Sequence, residues 1–447
     1  MKRERLLWVV AGIAGLFSHA ANAAVFEDVL SAAYANNPQI KAERQRQEAT
    51  DEGVAQAVSG FRPTVSANYN INHQNTSITA SPDVSGKADA ATLSLTQPLF
   101  RGGSTIASWN AAEQRVKAGQ YQLSAVEQQV LLNAVTAYMN VVQASALLDL
   151  SRNNMEVLGE QLKAADTRFQ VGEVTRTDVA QSQARLSDAK SSLIAAEGQL
   201  LSAIANYERV IGIRPEGTLA VPEKLPELPA TLEDALERAR AANPQLLATL
   251  HTARASDYDV RTNQGTLLPR VNLVGALSRQ TGAGTAGNVD VDQDRIGVDV
   301  TIPLYQSGAE WSRVREASAI ARQRSHESID QRMSTDEATT QSWEQLESAI
   351  ATTASRNDQI KAASLALDGV KQEQQYGSRT VLDVLNAEQE LFVARTNLVR
   401  AQRDRIVAAY TLAFTLGQLT PQNLGLTVAA YNPQIHTNEV GWKAIGF

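Results

Sequence analysis

Two short segments carry residue types that could bind a nucleotide or act as a nucleophile. Residues 282–287 fit the phosphate-binding pattern Gly-x-Gly-x-x-Gly, and Ser187 and Lys190 fit the Ser-x-x-Lys pattern of β-lactamase-type enzymes. The first pattern binds phosphate where a strand turns into a helix, but here it falls in a predicted strand-to-strand loop. The second lies midway along a predicted long helix, without the companion motifs that such enzymes need. Neither segment predicts catalysis or nucleotide binding.

The candidate metal ligands lack the spacing that a metal site requires. Asp290, Asp292 and Asp294 alternate as in a calcium loop, but Arg295 stands where that loop requires glycine. A solvated external loop is the favoured interpretation, with weak cation binding as the alternative. The chain has no cysteine, which excludes disulfides and thiolate metal sites. The sequence therefore predicts no cofactor and no metal, and a protein that is not an enzyme.

The composition indicates long packed helices. Of the 447 residues, 43% are hydrophobic but only 5% are aromatic, whereas compact cores rely on aromatic side chains for volume. The 41 basic and 48 acidic residues give a net charge of −7, which argues against a surface that coats nucleic acid. No nucleic-acid partner is predicted.

The N-terminus has the pattern of a secretory signal peptide. Lys2, Arg3 and Arg5 form a basic start, residues 6–17 are apolar, and residues 21–23 form an Ala-x-Ala cleavage site. A membrane anchor is the alternative, but about 12 apolar residues are too few to span a bilayer of about 30 Å. We expect residues 1–23 to be a signal peptide and the mature chain to be exported.

The mature chain is predicted to be a tandem duplication. Motifs recur at a shift of 205 or 206 residues: Asn37-Pro38 with Asn243-Pro244, Pro98-Leu99 with Pro303-Leu304, Gly172 with Gly377, and Asp178-Val179 with Asp383-Val384. Their common order predicts repeat 1 at 24–212 and repeat 2 at 231–418. A Pro-rich linker at 213–230 joins the repeats, and a C-terminal segment follows at 419–447.

Each repeat changes its hydrophobic period in the same order. A helix is predicted first, at 26–60 in repeat 1. Alternating apolar and polar residues then predict a β-hairpin with a long loop, at about 63–98 and again at about 269–303. Apolar residues at steps of three and four follow. They predict a hairpin of two very long helices in each repeat, with turns near Gly172 and Gly377.

The four predicted strands cannot close a membrane barrel alone, because such a barrel needs at least about eight strands. Their alternation suits lipid on one face and water on the other, so several chains would have to contribute strands. The helices could likewise close into a ring, which predicts a shared barrel that continues into a helical tube. A soluble antiparallel sheet with one wet face stays open as the alternative.

Four segments, in this order, resemble the TolC family of outer-membrane channel proteins over essentially the whole mature chain. They are TQPLF at 96–100, RFxVGxxxxTDV at 168–179, IPLYQ at 302–306 and YGxRTxxDVLxA at 376–387. The resemblance implies an α+β membrane protein that forms a homotrimer. Each chain would add four strands to a twelve-stranded β-barrel in the cell outer membrane, and its long α-helical hairpins would form part of a tunnel across the periplasm.

The resemblance also implies a function. Members of the family are passive exit ducts for type I protein secretion or small-molecule efflux, and they work with an inner-membrane transporter and a periplasmic adaptor. The absence of cysteine excludes the lipidated branch. The rival hypothesis is a soluble periplasmic coiled-coil scaffold without a pore. The cargo is not readable from the sequence, because specificity lies largely in the partners.

The same resemblance assigns roles to residues at the helical turns. Gly172 and Gly377 correspond to the turns themselves, and each is also expected to need a positive φ. Glu173, Val174 and Ser378 are expected to be exposed and to form the docking surface for the adaptor.

A constriction and a closed-state latch are implied beside these turns. Asp383 corresponds to a ring of carboxylates on the threefold axis, where mutual repulsion would raise the pKa of the Asp383 carboxyls. Asn386 stands where some relatives have a second aspartate and should line the same pore, so we expect weak cation selectivity.

The latch joins neighbouring hairpins. The resemblance assigns it to Arg379 with Thr177 and Asp178. Gln374 stands where a family tyrosine joins this network.

Overall fold

The computed structural model describes residues 26–77, 79, 84–222, 224–284, 287–441 and 443. The predicted signal peptide at 1–23 lies outside these residues, as does Phe447 at the end of the predicted C-terminal segment.

The described elements run twice through the order of two short helices, two strands and two long helices. In the first half they are α1 (Phe26–Asn36), α2 (Pro38–Ser59), β1 (Thr64–Thr76), β2 (Val84–Arg101), α3 (Ser104–Gln170) and α4 (Arg176–Ile211). In the second half they are α5 (Leu232–Ala242), α6 (Pro244–Gly265), β3 (Arg270–Gly284), β4 (Gly287–Thr301), α7 (Ala309–Gln375) and α8 (Val381–Thr415). A further helix, α9 (Pro433–Val440), follows near the C-terminus.

The single helix predicted at 26–60 is wrong, because the chain breaks at Asn37. Proline has no N–H and disfavours helical backbone in the residue before it, so Asn37 is extended at φ −61° and ψ 125°. The Asn37 side chain accepts a hydrogen bond from the Gln39 N–H at 2.8 Å and caps α2. The Asn243 side chain caps α6 by accepting from the Leu246 N–H at 3.0 Å. The Asn-Pro pair therefore ends one helix and begins the next in both repeats.

The long helical hairpins are confirmed. The helices α3 and α7 have 67 residues each, which corresponds to about 100 Å at 1.5 Å per residue. α3 packs along α4, and α7 packs along α8. α3 also packs on α6 and α8, so the two hairpins of one chain form a single wall.

The four strands form one antiparallel sheet in the order β1-β2-β3-β4 among the described residues. β1 and β4, with 13 and 15 residues, are its two edges. β4 contains Asp290, Asp292 and Asp294 and begins three residues after β3 ends, so the external loop favoured for these aspartates and the long loop of the second hairpin are wrong. β2 runs past its predicted end at Pro98, through a bulge between Pro98 and Phe100, and ends at Arg101. The sheet therefore reaches the start of α3 almost without a connecting loop.

The two faces of this sheet differ in polarity in the half that lies near the helices. One face carries apolar side chains that are exposed in the single chain, namely Val65, Tyr69, Ile71, Leu93, Leu95, Leu277, Ile296, Val298 and Val300. The opposite face carries small polar side chains, among them Ser66 and Ser94, whose hydroxyls hydrogen bond across the strands at 2.7 Å. The predicted alternation is therefore present, and it leaves an apolar face that the single chain does not bury.

The largest apolar core surrounds the middle of α3. Its fully buried side chains include Leu30, Leu131, Tyr138, Tyr207 and Ile211, from α1, α3 and α4. Tyr138 donates a hydrogen bond to the Ala220 carbonyl at 2.8 Å, and Leu219 and Leu228 of the linker pack on the same cluster. The chain after α8 contributes Leu419 to the same cluster, which we call the belt core.

By length and composition, α3 is also the one described helix that could cross a membrane. Half of its most apolar segment is buried inside the chain. These buried residues belong to the belt core around Tyr138, so the core accounts for the apolar character of α3.

Candidate functional site

The turn between α3 and α4 is fixed by a glycine and a capping box. Gly172 has φ +81°, and the Glu173 N–H donates to the Arg168 carbonyl at 2.9 Å, which closes the end of α3. Thr175 caps α4. One oxygen of the Asp178 carboxylate accepts hydrogen bonds from the N–H and the hydroxyl of Thr175, at 2.9 and 2.7 Å. Asp178 is thus held by its own helix cap.

The turn between α7 and α8 repeats this geometry. Gly377 has φ +80°, and the Ser378 N–H donates to the Glu373 carbonyl at 3.0 Å. Thr380 caps α8, and the Asp383 carboxylate accepts from the N–H and the hydroxyl of Thr380 at 2.9 and 2.8 Å. The positive φ expected at both glycines is therefore present.

The electrostatics of the second turn centre on Asp383. The hydrogen bonds from the backbone and hydroxyl of Thr380, and then the charge of Arg379, lower the pKa of the Asp383 carboxyl from its usual value of 3.8. Within one chain this direction is opposite to the rise expected from a ring of carboxylates. Arg379 itself forms an ion pair with Glu373 at 2.8 Å across the turn. Within one chain, Asp383 is therefore stabilised in its charged form.

The other predicted site residues lie close to these turns. Thr177, Glu173 and Ser378 are exposed, as expected of residues that could contact a partner. Gln374 lies in the last turn of α7, and its carbonyl accepts from the Gly377 N–H at 3.0 Å. Val174 is half-buried rather than exposed, because it packs on an apolar cluster.

That cluster joins the two hairpins of one chain near their turns. Val381 and Leu385 of α8 pack against Leu158 of α3 and Ala189 of α4. α8 is therefore held between its own partner helix and the first hairpin.

A hydrogen bond between the hairpins lies beside this cluster, and sequence reasoning missed it. The Arg185 guanidinium on α4 donates to the side-chain oxygen of Asn386 on α8 at 3.0 Å. Asn386 is exposed, as a pore-lining residue must be. Its hydrogen bond to Arg185 places the positive charge of that guanidinium next to the predicted constriction. One weak sequence feature could have suggested Arg185 as a site residue. It lies seven residues after Asp178, two turns along α4, and so on the same side of that helix.

The comparisons with known proteins agree with this architecture. A family model described as outer membrane efflux protein matches residues 29–212 and 235–418. The outer membrane efflux protein BepC of Brucella suis is 37% identical over 96% of this chain and 93% of its own. The alkaline protease secretion protein AprF of Pseudomonas aeruginosa is 25% identical over 96% of this chain and 92% of its own. The solved CmeC outer membrane channel of Campylobacter jejuni has a TM-score of 0.79 at 16% identity, covering 93% of this chain and 89% of its own, which shows the fold.

The chain belongs to the outer membrane efflux protein family, whose members are TolC-like channels. It is an outer-membrane channel of the efflux and type I secretion type, and it extends into the periplasm. Its relatives are transport channels rather than enzymes.

Proposed function

We propose that three copies of this chain form one passive exit duct. β4 of one copy would pair with β1 of the next, so that twelve strands close into a barrel in the outer membrane. The observation that carries this proposal is the sheet itself, which has two long open edges and an exposed apolar face in the single chain. Edge strands of this length present unpaired backbone N–H and C=O groups that can bind another strand, and closure of a barrel removes such edges. Lipid would then cover the apolar face, and water would fill the polar interior.

The periplasmic end of the duct would be closed at the helical turns. Asp383 and Asn386 would form the constriction, and Arg379 would reach Thr177 and Asp178, with Gln374 nearby, on a neighbouring hairpin. The Arg379–Glu373 ion pair within one chain supports this role, because it holds the guanidinium at the exposed end of the hairpin. Opening would require the hairpins to move apart, which exchanges one set of polar contacts for another.

A periplasmic adaptor and an inner-membrane transporter would complete the machine. The adaptor would dock at the turns formed by Gly172, Glu173, Val174, Gly377 and Ser378. The two near-identical turns in one chain support this, because a trimer would present six similar sites. The names of the two relatives, an efflux protein in one case and a protease secretion protein in the other, agree with such a duct. The transporter would supply all the energy.

The test is the mass and the single-channel conductance of the protein extracted from membranes with detergent. We expect a trimer that forms ion-conducting pores in a planar bilayer. A monomer released by osmotic shock, without conductance, would instead support the soluble periplasmic scaffold.

The latch is tested by Arg379→Ser in the same assay. We expect this change to raise the basal conductance, because it removes the cation that would join neighbouring hairpins. Lys190→Ser, at an exposed position of α4 distant from the turns, is the matched control and should leave the conductance unchanged. Equal conductance of Arg379→Ser and the unmodified protein would contradict the latch.

A further inference from the structure

Two arginines lie directly opposite each other where the sheet meets the helices. In the register of β2 and β3, Arg101 is paired with Arg270. Like charges at opposed positions of neighbouring strands repel, so such a pair destabilises the sheet unless another group compensates it. Both side chains are exposed. No carboxylate of the described chain forms an ion pair with either guanidinium, so the two charges are left for an external partner.

The register also places both arginines on the polar face. Residues that are directly opposed in an antiparallel pair share a face, and residues two apart along a strand do so as well. Arg270 is opposed to Thr301 on β4 and lies two residues from Asn272, both on the face opposite the apolar side chains. The bulge between Pro98 and Phe100 brings Arg101 to this face too.

The charged residues of the sheet are sorted between its two faces. The polar face carries Arg101, Arg270, Arg295 and Asp299, a net charge of two positive per chain. Arg295 and Asp299 face each other at 3.7 Å along β4, which leaves the charges of Arg101 and Arg270 uncompensated. The opposite face carries Lys87, Asp89, Arg279, Asp290, Asp292 and Asp294, a net charge of two negative per chain. The polar face is thus the one with a net positive charge.

The backbone beside Arg101 is held in place. Gly102 has φ +62°, and a Cβ there would collide with the carbonyl oxygen of Gly265 at the end of α6. The Ser104 hydroxyl donates to the Arg101 carbonyl at 2.7 Å. Arg101 is therefore fixed to the helical wall as well as to the sheet.

We propose that Arg101 and Arg270 form a ring of six guanidinium groups inside the base of the barrel, and that this ring binds multivalent anions of the phosphate type. The inference rests on the proposed trimer, which turns the polar face inward. Guanidinium groups bind phosphate through paired N–H donors, and a narrow water-filled passage strengthens the effect of a charged ring. The ring would favour the entry of anionic groups of a cargo into the barrel.

The test is block of the single-channel current by inorganic tripolyphosphate, added to one compartment at a time at about 0.1 M salt, where screening is moderate. We expect a concentration-dependent block from one side of the bilayer. The double change R101Q and R270Q should raise the tripolyphosphate concentration for half-block at least tenfold. R101K with R270K should retain most of the block, because the charge stays. R279Q is the matched control, since it removes an arginine of the same sheet from the opposite face, and it should leave the block unchanged.

The outcomes separate this inference from the function on which it rests. Trimeric pores that tripolyphosphate does not block would overturn the anion ring and leave the duct intact. So would a block that R101Q with R270Q does not weaken, or one that R279Q weakens equally. A protein that forms no pores at all would overturn the duct. Native mass spectrometry of each variant establishes that it is still a trimer.

Discussion

The two longest helices share one backbone plan but differ in what they bury. α3 and α7 have 67 residues each, begin after a glycine with φ near +80°, and end in turns with the same capping box on the next helix. At equivalent positions, 205 residues apart, α3 has Val130, Ala134 and Ala137 where α7 has Thr335, Thr339 and Ser342. All six are buried.

The buried threonine hydroxyls of α7 donate hydrogen bonds to carbonyls of their own helix. Thr335 and Thr339 donate to the carbonyls of Gln331 and Thr335, one turn back on the same helix, at 2.8 Å each. Ser342 also lies 3.1 Å from the Thr415 hydroxyl on α8. Such buried hydroxyls cost little once they are hydrogen bonded, but they contribute less burial energy than the apolar residues of α3.

The two helices have the same length and the same ends, but they differ in the side chains on their surfaces. α3 is enclosed by other helices of its own chain and holds the belt core. α7 leaves large apolar residues exposed in the single chain, namely Trp311, Ile329, Met333, Ile350 and Leu365. In the proposed trimer, a neighbouring copy would cover part of this surface. α3 therefore contributes more to the chain's own apolar core than α7 does, and in the proposed trimer α7 would contribute more of the surface between copies.

The largest expected effect is loss of the α3 core. Tyr138→Ala removes a side chain that is 1% exposed, its hydrogen bond to Ala220 and its edge-on contact with Phe26 at 5.0 Å between ring centres. We expect a loss of about 3–5 kcal/mol in the free energy of unfolding, seen as a lower midpoint of thermal loss of helicity in detergent.

The matched change on α7 is Met333→Ala, at a side chain that is 65% exposed in the single chain. We expect the midpoint of helix loss to stay close to that of the unmodified protein, while the trimer dissociates at a lower temperature in native mass spectrometry. Equal losses of helix stability in the two variants would contradict the division of roles between α3 and α7.

The second effect concerns the residues just before the long helices. Gly102 and Ser307 are equivalent, with φ of +62° and +51°, but Gly102 lies against Gly265 whereas Ser307 tolerates a side chain. Gly102→Ser should lower the free energy of unfolding by roughly 2–4 kcal/mol, because the serine would be strained at this φ and would collide with Gly265. Ser307→Gly should raise the free energy of unfolding by about 1 kcal/mol, because glycine adopts a left-handed backbone without strain. Thermal midpoints that move in the same direction for both variants would contradict this asymmetry.

Much of the fold follows from local sequence patterns. The period-two alternation around Tyr69 gave the strands, and Gly172 and Gly377 gave the turns, because each signal is contained within a few residues. The break at Asn37 is equally local, because it follows from the next proline, but the apolar pattern continues across it and so predicts one helix.

The contacts that distinguish this chain at its site are not local. Arg185 meets Asn386 from 201 residues away, through two hairpins whose packing is set by Val381 and Leu385 on Leu158. The family resemblance of Asp383 and its spacing of three residues from Asn386 predicted that Asn386 lines the pore, but nothing in the sequence predicted that Arg185 contacts it. The opposed arginines were hidden for a similar reason, since their pairing depends on the register between two repeats and on a bulge at Pro98.

The smallest expected effect tests the turns, where the two repeats are most alike. Thr380 lowers the pKa of Asp383, so the folded value lies below the usual 3.8 and the charged carboxylate stabilises the turn. A group with a depressed folded pKa contributes stability above its unfolded pKa and loses it as the pH falls through the folded pKa. We expect the basal conductance to stay constant from neutral pH to about pH 4 and to rise only below it. Thr380→Val, which removes a cap worth about 1 kcal/mol, should move this rise to higher pH.

Thr175→Val is the control, because it removes the same cap from the first turn and leaves the Asp383 carboxylate untouched. It should leave the pH of the rise unchanged. A fall of the basal conductance as the pH drops towards 4 would instead show that repulsion among three Asp383 carboxylates outweighs the caps, because protonation would then relieve the repulsion and stabilise the closed turns. In that case the two turns, alike in one chain, would differ in the trimer because only the second would meet its copies at the axis.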